Sequence, residues 1–299
     1  MQRPNDSVFP YPSPSRLYLS KLESPPATVL EHLIGHFPQV SAETWRSRSA
    51  RGAITSDHGD CITEYTPYRH GMTIFYRKEV ASEPEPFQEE IILYQDGEIL
   101  VADKPHGMVV TPAGDHVERS LLVRLQRRTG LNTLVPAHRL DCETAGLVLL
   151  SVNPDTRAQY HALFADGSIE REYRAVAYLD PLPEKREWQV RNRIEAGEPW
   201  FRKRVVDGPP NTLSLVELIE AGQGIGLFRI RPKSGKKHQI RVHMTSIGFP
   251  IVGDRLYPEI REGNDIDLPL QLLAHQLEFS DPLNGESRNF QSVRALVWR

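Results

Sequence analysis

An aspartate held between a polar loop and a buried strand has the makings of a nucleophile. From His138 the chain reads His-Arg-Leu-Asp-Cys-Glu-Thr-Ala-Gly, and the apolar run Leu147-Val148-Leu149-Leu150 follows. The run is apolar enough to be a buried strand. Asp141 therefore sits at the rim of a core, where a carboxylate can be desolvated and aimed for attack or for proton abstraction. The competing reading is a solvated turn aspartate, since Asp favours turns through local hydrogen bonds.

A second stretch runs from Arg229 to Met244. Between Arg229 and Arg241 it carries six Lys or Arg residues and no acid. Ile230, Ile240, Val242 and Met244 interleave with the charges, so the segment is anchored to a core and its cations are directed. A strand, a Gly turn and a helix start in that order form a phosphate-attracting arrangement. In the third stretch, Arg171 to Val176, strand alternation places Tyr173 opposite Glu172 and Arg174. Such a tyrosine is either core filling or a flat surface for a nucleobase.

The elements that must position these residues follow from patterning. Residues 91–94 and 99–102 flank a Gln95-Asp96-Gly97 turn and read as a strand pair. Lys104-Pro105-His106-Gly107-Met108 is a loop. Residues 120–128 form a helix with Arg124, Arg127 and Arg128 outward, solvated or facing phosphate. Asn153 caps a helix with Pro154 at its first position, ending near Ala165 before Gly167. Strands are expected at 172–178, 213–219, 226–231, 270–279 and 287–297, and a helix at 237–247 closed by Gly248. Many short strands with scattered helices predict an α+β domain with a largely antiparallel mixed sheet.

Upstream, residues 1–27 are rich in proline and read as an extended arm, in which Arg16-Leu17-Tyr18-Leu19 is able to lie against a neighbouring surface. Residues 28–80 form a small α+β module. The cluster of Trp45, Arg46, Arg48 and Arg51 makes it a candidate RNA-binding module, and a structural cap is the alternative. Residues 81–90 are an acidic, Pro-rich linker, and 91–299 the main domain.

The chain has 299 residues and a net charge of −3, with 36 Lys or Arg against 39 Asp or Glu, so nucleic-acid binding requires a local basic patch. Cys61 and Cys142 match no metal or disulfide spacing, which predicts a reducing, cytoplasmic setting. Neither a signal peptide nor a membrane span is visible. His138 and His238 lack partner ligands at metal spacing and are read as hydrogen-bonding scaffold.

Taken together and in order, these segments resemble the RluA-type pseudouridine synthase family. The matching text is ILVADKPHG from Ile99, HRLDCETAG from His138, EYRAV from Glu172, GKKHQIRVHMTSIGFPIVGD from Gly235 and LLAH from Leu272. The resemblance covers roughly residues 91–299. It implies an isomerase that converts uridine to pseudouridine in structured rRNA or tRNA, without cofactor or metal, acting as a monomer. It implies that Asp141 is the nucleophile, attacking the anomeric carbon. Tyr173 stacks on the base and helps remove the proton from ring carbon five, and Arg241 pairs with Asp141 and keeps it ionised. Arg139 contacts RNA or displaces the flipped base. His138, Lys104, Lys233, Lys236, Lys237 and His238 complete the expected RNA-facing set. Lys236 stands where such sequences usually carry Arg and loses bidentate phosphate geometry. Two rival readings are a non-catalytic RNA-binding or ribosome-assembly protein and a glycoside hydrolase. The hydrolase needs a second carboxylate across the bond.

Overall fold

The computed structural model describes residues 14–76, 83, 88–113, 116–261 and 268–297. The chain divides into two compact units, Met1–Glu83 and Pro84–Arg299.

The first unit is built on a three-stranded antiparallel sheet in the order β1-β3-β2, with β1 Ser15–Tyr18, β2 Ile54–Ser56 and β3 Thr73–Tyr76. Its helices are α1 Val29–His36 and α2 Ala42–Ala50. Thr28 and Glu31 close a capping box on α1, and Ser41 caps α2. Val29, Leu30, Leu33, Trp45, Ile54 and Ile74 fill the core. The part of the N-terminal arm expected to be able to lie against a neighbouring surface does more than lie on it. Residues 15–18 pair with β3 and Leu19 is fully buried, so this part of the arm belongs to the unit. The basic cluster is also narrower than expected, because Trp45 is a core side chain and buried Arg48 stacks on it at 4.9 Å.

In the second unit, β4 Ile91–Gln95 and β5 Ile99–Lys104 form the expected hairpin. α3 Leu121–Thr129 ends on Gly130 in the left-handed region. β6 Val135–Pro136, β7 Ala145–Ser151, α4 Arg157–Ala165 and β8 Glu170–Tyr178 follow. Then come β9 Glu187–Ala196, β10 Lys203–Val206, β11 Thr212–Gly222 and β12 Ile225–Pro232. α5 Gln239–Ser246, β13 Leu272–Ser280 and β14 Ser287–Gln291 complete the unit.

Among the described residues these strands make one sheet, ordered β10-β9-β11-β12-β8-β13-β7-β5-β4, with β14 on β13 and β6 on β7. All pairs are antiparallel except β13 with β7.

The run Leu147–Leu150 is apolar throughout because both faces of β7 are covered. Leu100, Ala102, Val148 and Leu150 pack with Leu121 and Leu125 of α3. Ile99, Val101, Leu147 and Leu149 pack with Tyr160 and Leu163 of α4. Each such side chain contributes about 1.5–3 kcal/mol by burial. A third cluster sets Ile240 and Met244 of α5 against Phe228, Ile230 and Val216.

Three features differ from expectation. β9 and β10 were not anticipated, although Trp188, Val190 and Ile194 alternate as a half-buried strand should; charged neighbours masked the pattern. β14 stops at Gln291: Ser292 N–H still donates to the His275 carbonyl, but Val293 N–H turns to buried Asp103, which also accepts from the Ser292 hydroxyl. Arg124 and Arg128 of α3, expected to be solvated or to face phosphate, are both tied to buried Glu90 by ion pairs.

Candidate active site

Strand order brings the chemistry together. β8, β13 and β7 are adjacent, and Tyr173, Ala274 and Gly146 lie side by side across them. Neighbouring strands are about 4.8 Å apart, so Tyr173 and the loop entering β7 bracket β13. Gly146 makes this approach possible. It sits at φ 112°, and a Cβ there would lie 2.2 Å from the Ala274 carbonyl oxygen. α5 follows β12 and carries Arg241 to the same place.

The result is a cleft of about 520 Å3, lined among others by His138, Arg139, Asp141, Tyr173, Lys236, Lys237, His238 and Arg241. Leu140, Ile240, Leu272 and Phe164 supply apolar wall. That size and mixture suit a small ring-bearing ligand. Among the described residues Asp141 is the one carboxylate lining the cleft, so they supply no second carboxylate of the kind a glycoside hydrolase requires across the bond.

Asp141 keeps 26 % of its side chain exposed, enough for a substrate to touch it. Its carboxylate Oδ2 lies 3.9 Å from Arg241 Nη1 and 3.8 Å from His238 Nε2. Among the described residues, the Arg241–Asp141 ion pair is the longest of three that Arg241 makes. Arg241 is 2 % exposed and grips Asp254 with two bonds, Nε at 2.8 Å and Nη2 at 2.6 Å, and Glu143 at 3.0 Å. Its charge is shared among three carboxylates, so burial wins at Asp141. The Asp141 pKa is pushed above the ordinary carboxylate range by desolvation, against the opposing pull of Arg241, Lys237 and Lys104. Tyr173 is likewise raised by burial and stays a neutral phenol.

His238 occupies the left-handed region at φ 59°. Lys203 N–H donates to Tyr257 Oη at 2.7 Å, so that hydroxyl is free to donate to His238 Nδ1 at 2.9 Å. This pattern assigns the proton to Nε2, the nitrogen facing Asp141. Burial brings the His238 pKa down to about 3, so the ring is neutral. His238 offers Asp141 an N–H dipole rather than a charge.

Several expected RNA contacts belong elsewhere. Lys104 is fully buried and outside the cleft: its ammonium donates to the carbonyls of Pro105, Met108 and Cys142 at 2.9, 2.7 and 3.1 Å. Three acceptors match three ammonium donors, so Lys104 is a strut under the Asp141 loop, although burial lowers its pKa to about 7. His138 accepts from Leu149 N–H at 3.2 Å and stacks on Phe164 at 4.3 Å; burial holds its pKa near 3. Lys233 ion-pairs with Glu170 at 2.8 Å, outside the lining. Arg139 is exposed beside the cleft, with Lys236 and Lys237 on its rim. Among the described residues no His, Cys, Asp or Glu cluster suits a metal ion, and no helix is long and apolar enough to cross a membrane.

Asp254, Glu143 and Tyr257 received no role from sequence alone. The Gly-Asp pair at 253–254 held a signal. Gly253 has φ 76°, and a Cβ there would meet the Pro269 carbonyl at 2.4 Å, which fixes the acid that follows.

Residues 98–246 match the family model described as RNA pseudouridylate synthase. An RNA pseudouridine synthase of Haemophilus influenzae is 30% identical over 207 residues, covering 69% of this chain and 86% of that protein. Ribosomal large subunit pseudouridine synthase D of Pseudomonas aeruginosa is 29% identical over 282 residues, 86% of this chain and 85% of its own. The solved structure of human RNA pseudouridylate synthase domain containing 1 shares the fold, with a TM-score of 0.59 at 20% identity over 71% of this chain and 86% of that one.

Proposed function

The chain belongs to the RluA-type pseudouridine synthase family, isomerases that convert uridine to pseudouridine in RNA, and on that premise we propose that Asp141 is its nucleophile and large-subunit ribosomal RNA its substrate. The observation that carries the first part is the accessible, desolvated Asp141 carboxylate facing Tyr173 and Arg241 in one cleft.

The target uridine leaves its stack to enter the cleft, at a cost of a few kcal/mol in a duplex and less in a loop. Contacts of Arg139, Lys236 and Lys237 with the RNA backbone offset that cost. The ionised Asp141 attacks the anomeric carbon and the glycosidic bond to ring nitrogen one breaks. A raised pKa makes this carboxylate a stronger nucleophile than an ordinary one. The freed uracil turns against Tyr173, and its carbon five bonds to the anomeric carbon as the carboxylate leaves. The proton on carbon five then departs and nitrogen one gains one. Tyr173, a neutral phenol, acts through its ring face and a hydrogen bond; the released Asp141 carboxylate is the better base. Neutral His238 steadies that carboxylate in both states.

The substrate reading rests on the relative named for the ribosomal large subunit. Its match of 282 residues is longer than the unit Pro84–Arg299 can supply, so it takes in part of the first unit. Exposed Arg46 and Arg51 on that unit favour a role in choosing the RNA. Mapping pseudouridines in total RNA with and without the gene, complemented by wild type or Asp141→Ala, tests both parts. Loss of a large-subunit site that only wild type restores is the expected result. A missing site in tRNA alone overturns the substrate, and restoration by Asp141→Ala overturns the nucleophile.

A further inference from the structure

The hairpin formed by β9 and β10 carries features that the reaction itself does not use. At its tip, residues 197–202 read Gly-Glu-Pro-Trp-Phe-Arg, and Trp200 is 83 % exposed. Trp45, by contrast, is a core side chain and Trp188 packs on one. Phe201 meets the Trp200 ring edge-on at 5.8 Å. Around it the charge is positive. Residues 191–206 hold Arg191, Arg193, Arg202, Lys203 and Arg204 against Glu195 and Glu198, in a chain whose net charge is −3.

The root of the hairpin is fastened to the active site. Arg202 lies over the Tyr257 ring at 5.0 Å and donates to the Pro258 carbonyl at 2.7 Å. Lys203 N–H donates to Tyr257 Oη, which bonds His238, and His238 faces Asp141 at 3.8 Å. The tip therefore has a fixed place relative to the nucleophile. Trp200 is three residues from Lys203, so their Cα atoms are at most about 11 Å apart.

We propose that this hairpin is an RNA-reading finger in which Trp200 stacks on a base of the substrate strand beside the flipped uridine, while Lys203 and Arg204 meet its phosphates. The proposal rests on the synthase reading and adds a substrate contact to it. An aromatic plate among cations is the arrangement that holds single-stranded or loop nucleotides without reading their identity. A protein-binding hot spot would instead sit inside a dry, packed surround; here Trp200 is 83 % exposed and its flanking sequence, Glu198-Pro199 and Phe201-Arg202, carries charge on both sides.

The test uses the full chain and ribosomal RNA purified from a strain lacking the gene. Tryptophan fluorescence of Asp141→Asn protein is titrated with this RNA, with and without the added change Trp200→Phe. Quenching by stacked bases is expected, and most of it disappears with Trp200→Phe. In turnover, Trp200→Ala raises KM roughly 5- to 100-fold with little change in kcat, and Trp200→Phe restores most of the affinity. RNA binding that leaves Trp200 unquenched, no RNA binding at all, or an unaltered KM in Trp200→Ala overturns the proposal. Pseudouridine formed at unaltered KM by that variant defeats the finger and spares the synthase reading. Trp200-dependent quenching by a wild-type protein that forms no pseudouridine does the reverse.

Discussion

Replacing Gly146 by alanine tests how the sheet holds the nucleophile. The new Cβ would lie 2.2 Å from the Ala274 oxygen, 2.6 Å from its nitrogen and 2.8 Å from its carbonyl carbon. All three are backbone atoms of β13, so no side chain is able to swing away. Cβ contacts below 3.0 Å are essentially never seen, so β7 and β13 must separate by about 1 Å. The φ of 112° adds strain of about 1–3 kcal/mol for a residue with a side chain. The parallel register of Ala145 and Gly146 with Leu273 and Ala274 is disturbed at the same point. Asp141 enters β7 on one side of this seam and Tyr173 pairs with Ala274 on the other. A displacement of about 1 Å between catalytic groups costs on the order of 100-fold in rate. Urea unfolding should show a loss of at least about 1–3 kcal/mol, and single-turnover pseudouridine formation should fall about 100-fold with RNA affinity kept. A Gly146→Ala protein with unchanged stability and unchanged turnover would refute the claim that this contact sets the Asp141–Tyr173 spacing.

Lys104→Met separates a strut from an RNA contact. As a strut it lowers kcat and leaves KM nearly unchanged, and the acid limb of activity moves to higher pH because a cation that pulls the Asp141 pKa down is gone; a raised KM alone contradicts this. In the wild type, kcat/KM should rise with pH along an acid limb above the ordinary carboxylate range, since the active form is ionised Asp141 and burial raises its pKa; a limb at or below that range contradicts it. Stability should also fall as pH drops below about 6.5, the unfolded histidine value, toward 3. His138 and His238 have folded pKa values near 3, so the unfolded chain binds more protons in that window. Each contributes about 1.4 kcal/mol per pH unit there, and flat urea midpoints from pH 7 to 4 contradict the assignment. A truncated protein beginning at Gln88 should fold and still isomerise uridine but lose site selectivity; an unchanged modification map removes the selecting role from the first unit.

What was legible in the sequence was local. The Asp141 loop and its buried strand stood out because a polar, Gly-ended stretch meets an apolar run that only a doubly covered strand needs. Tyr173 and Arg241 were found through the family resemblance, and strand order then placed them in the same cleft as Asp141. Convergence was not legible. A lysine in a Pro-Gly loop reads as surface, and Lys104 is buried because the carbonyls of its own loop, Pro105 and Met108, and that of Cys142, 38 residues on, meet around it. The main hold on Arg241 was not legible either, because Asp254, in the loop after α5, reaches it in two-pronged geometry that charge counting does not reveal. The β9–β10 hairpin was overlooked because its outward face is charged, although its inward residues alternate.

The central claim is that the negative charge of Asp141 performs the isomerisation, and Asp141→Asn tests it with almost no change of shape. Purified wild type and variant are incubated with large-subunit ribosomal RNA from a strain lacking the gene, and pseudouridine is counted. Both should bind the RNA, wild type should restore one pseudouridine or a small fixed set, and Asp141→Asn should restore none. Turnover by the asparagine variant at the wild-type rate would contradict the account.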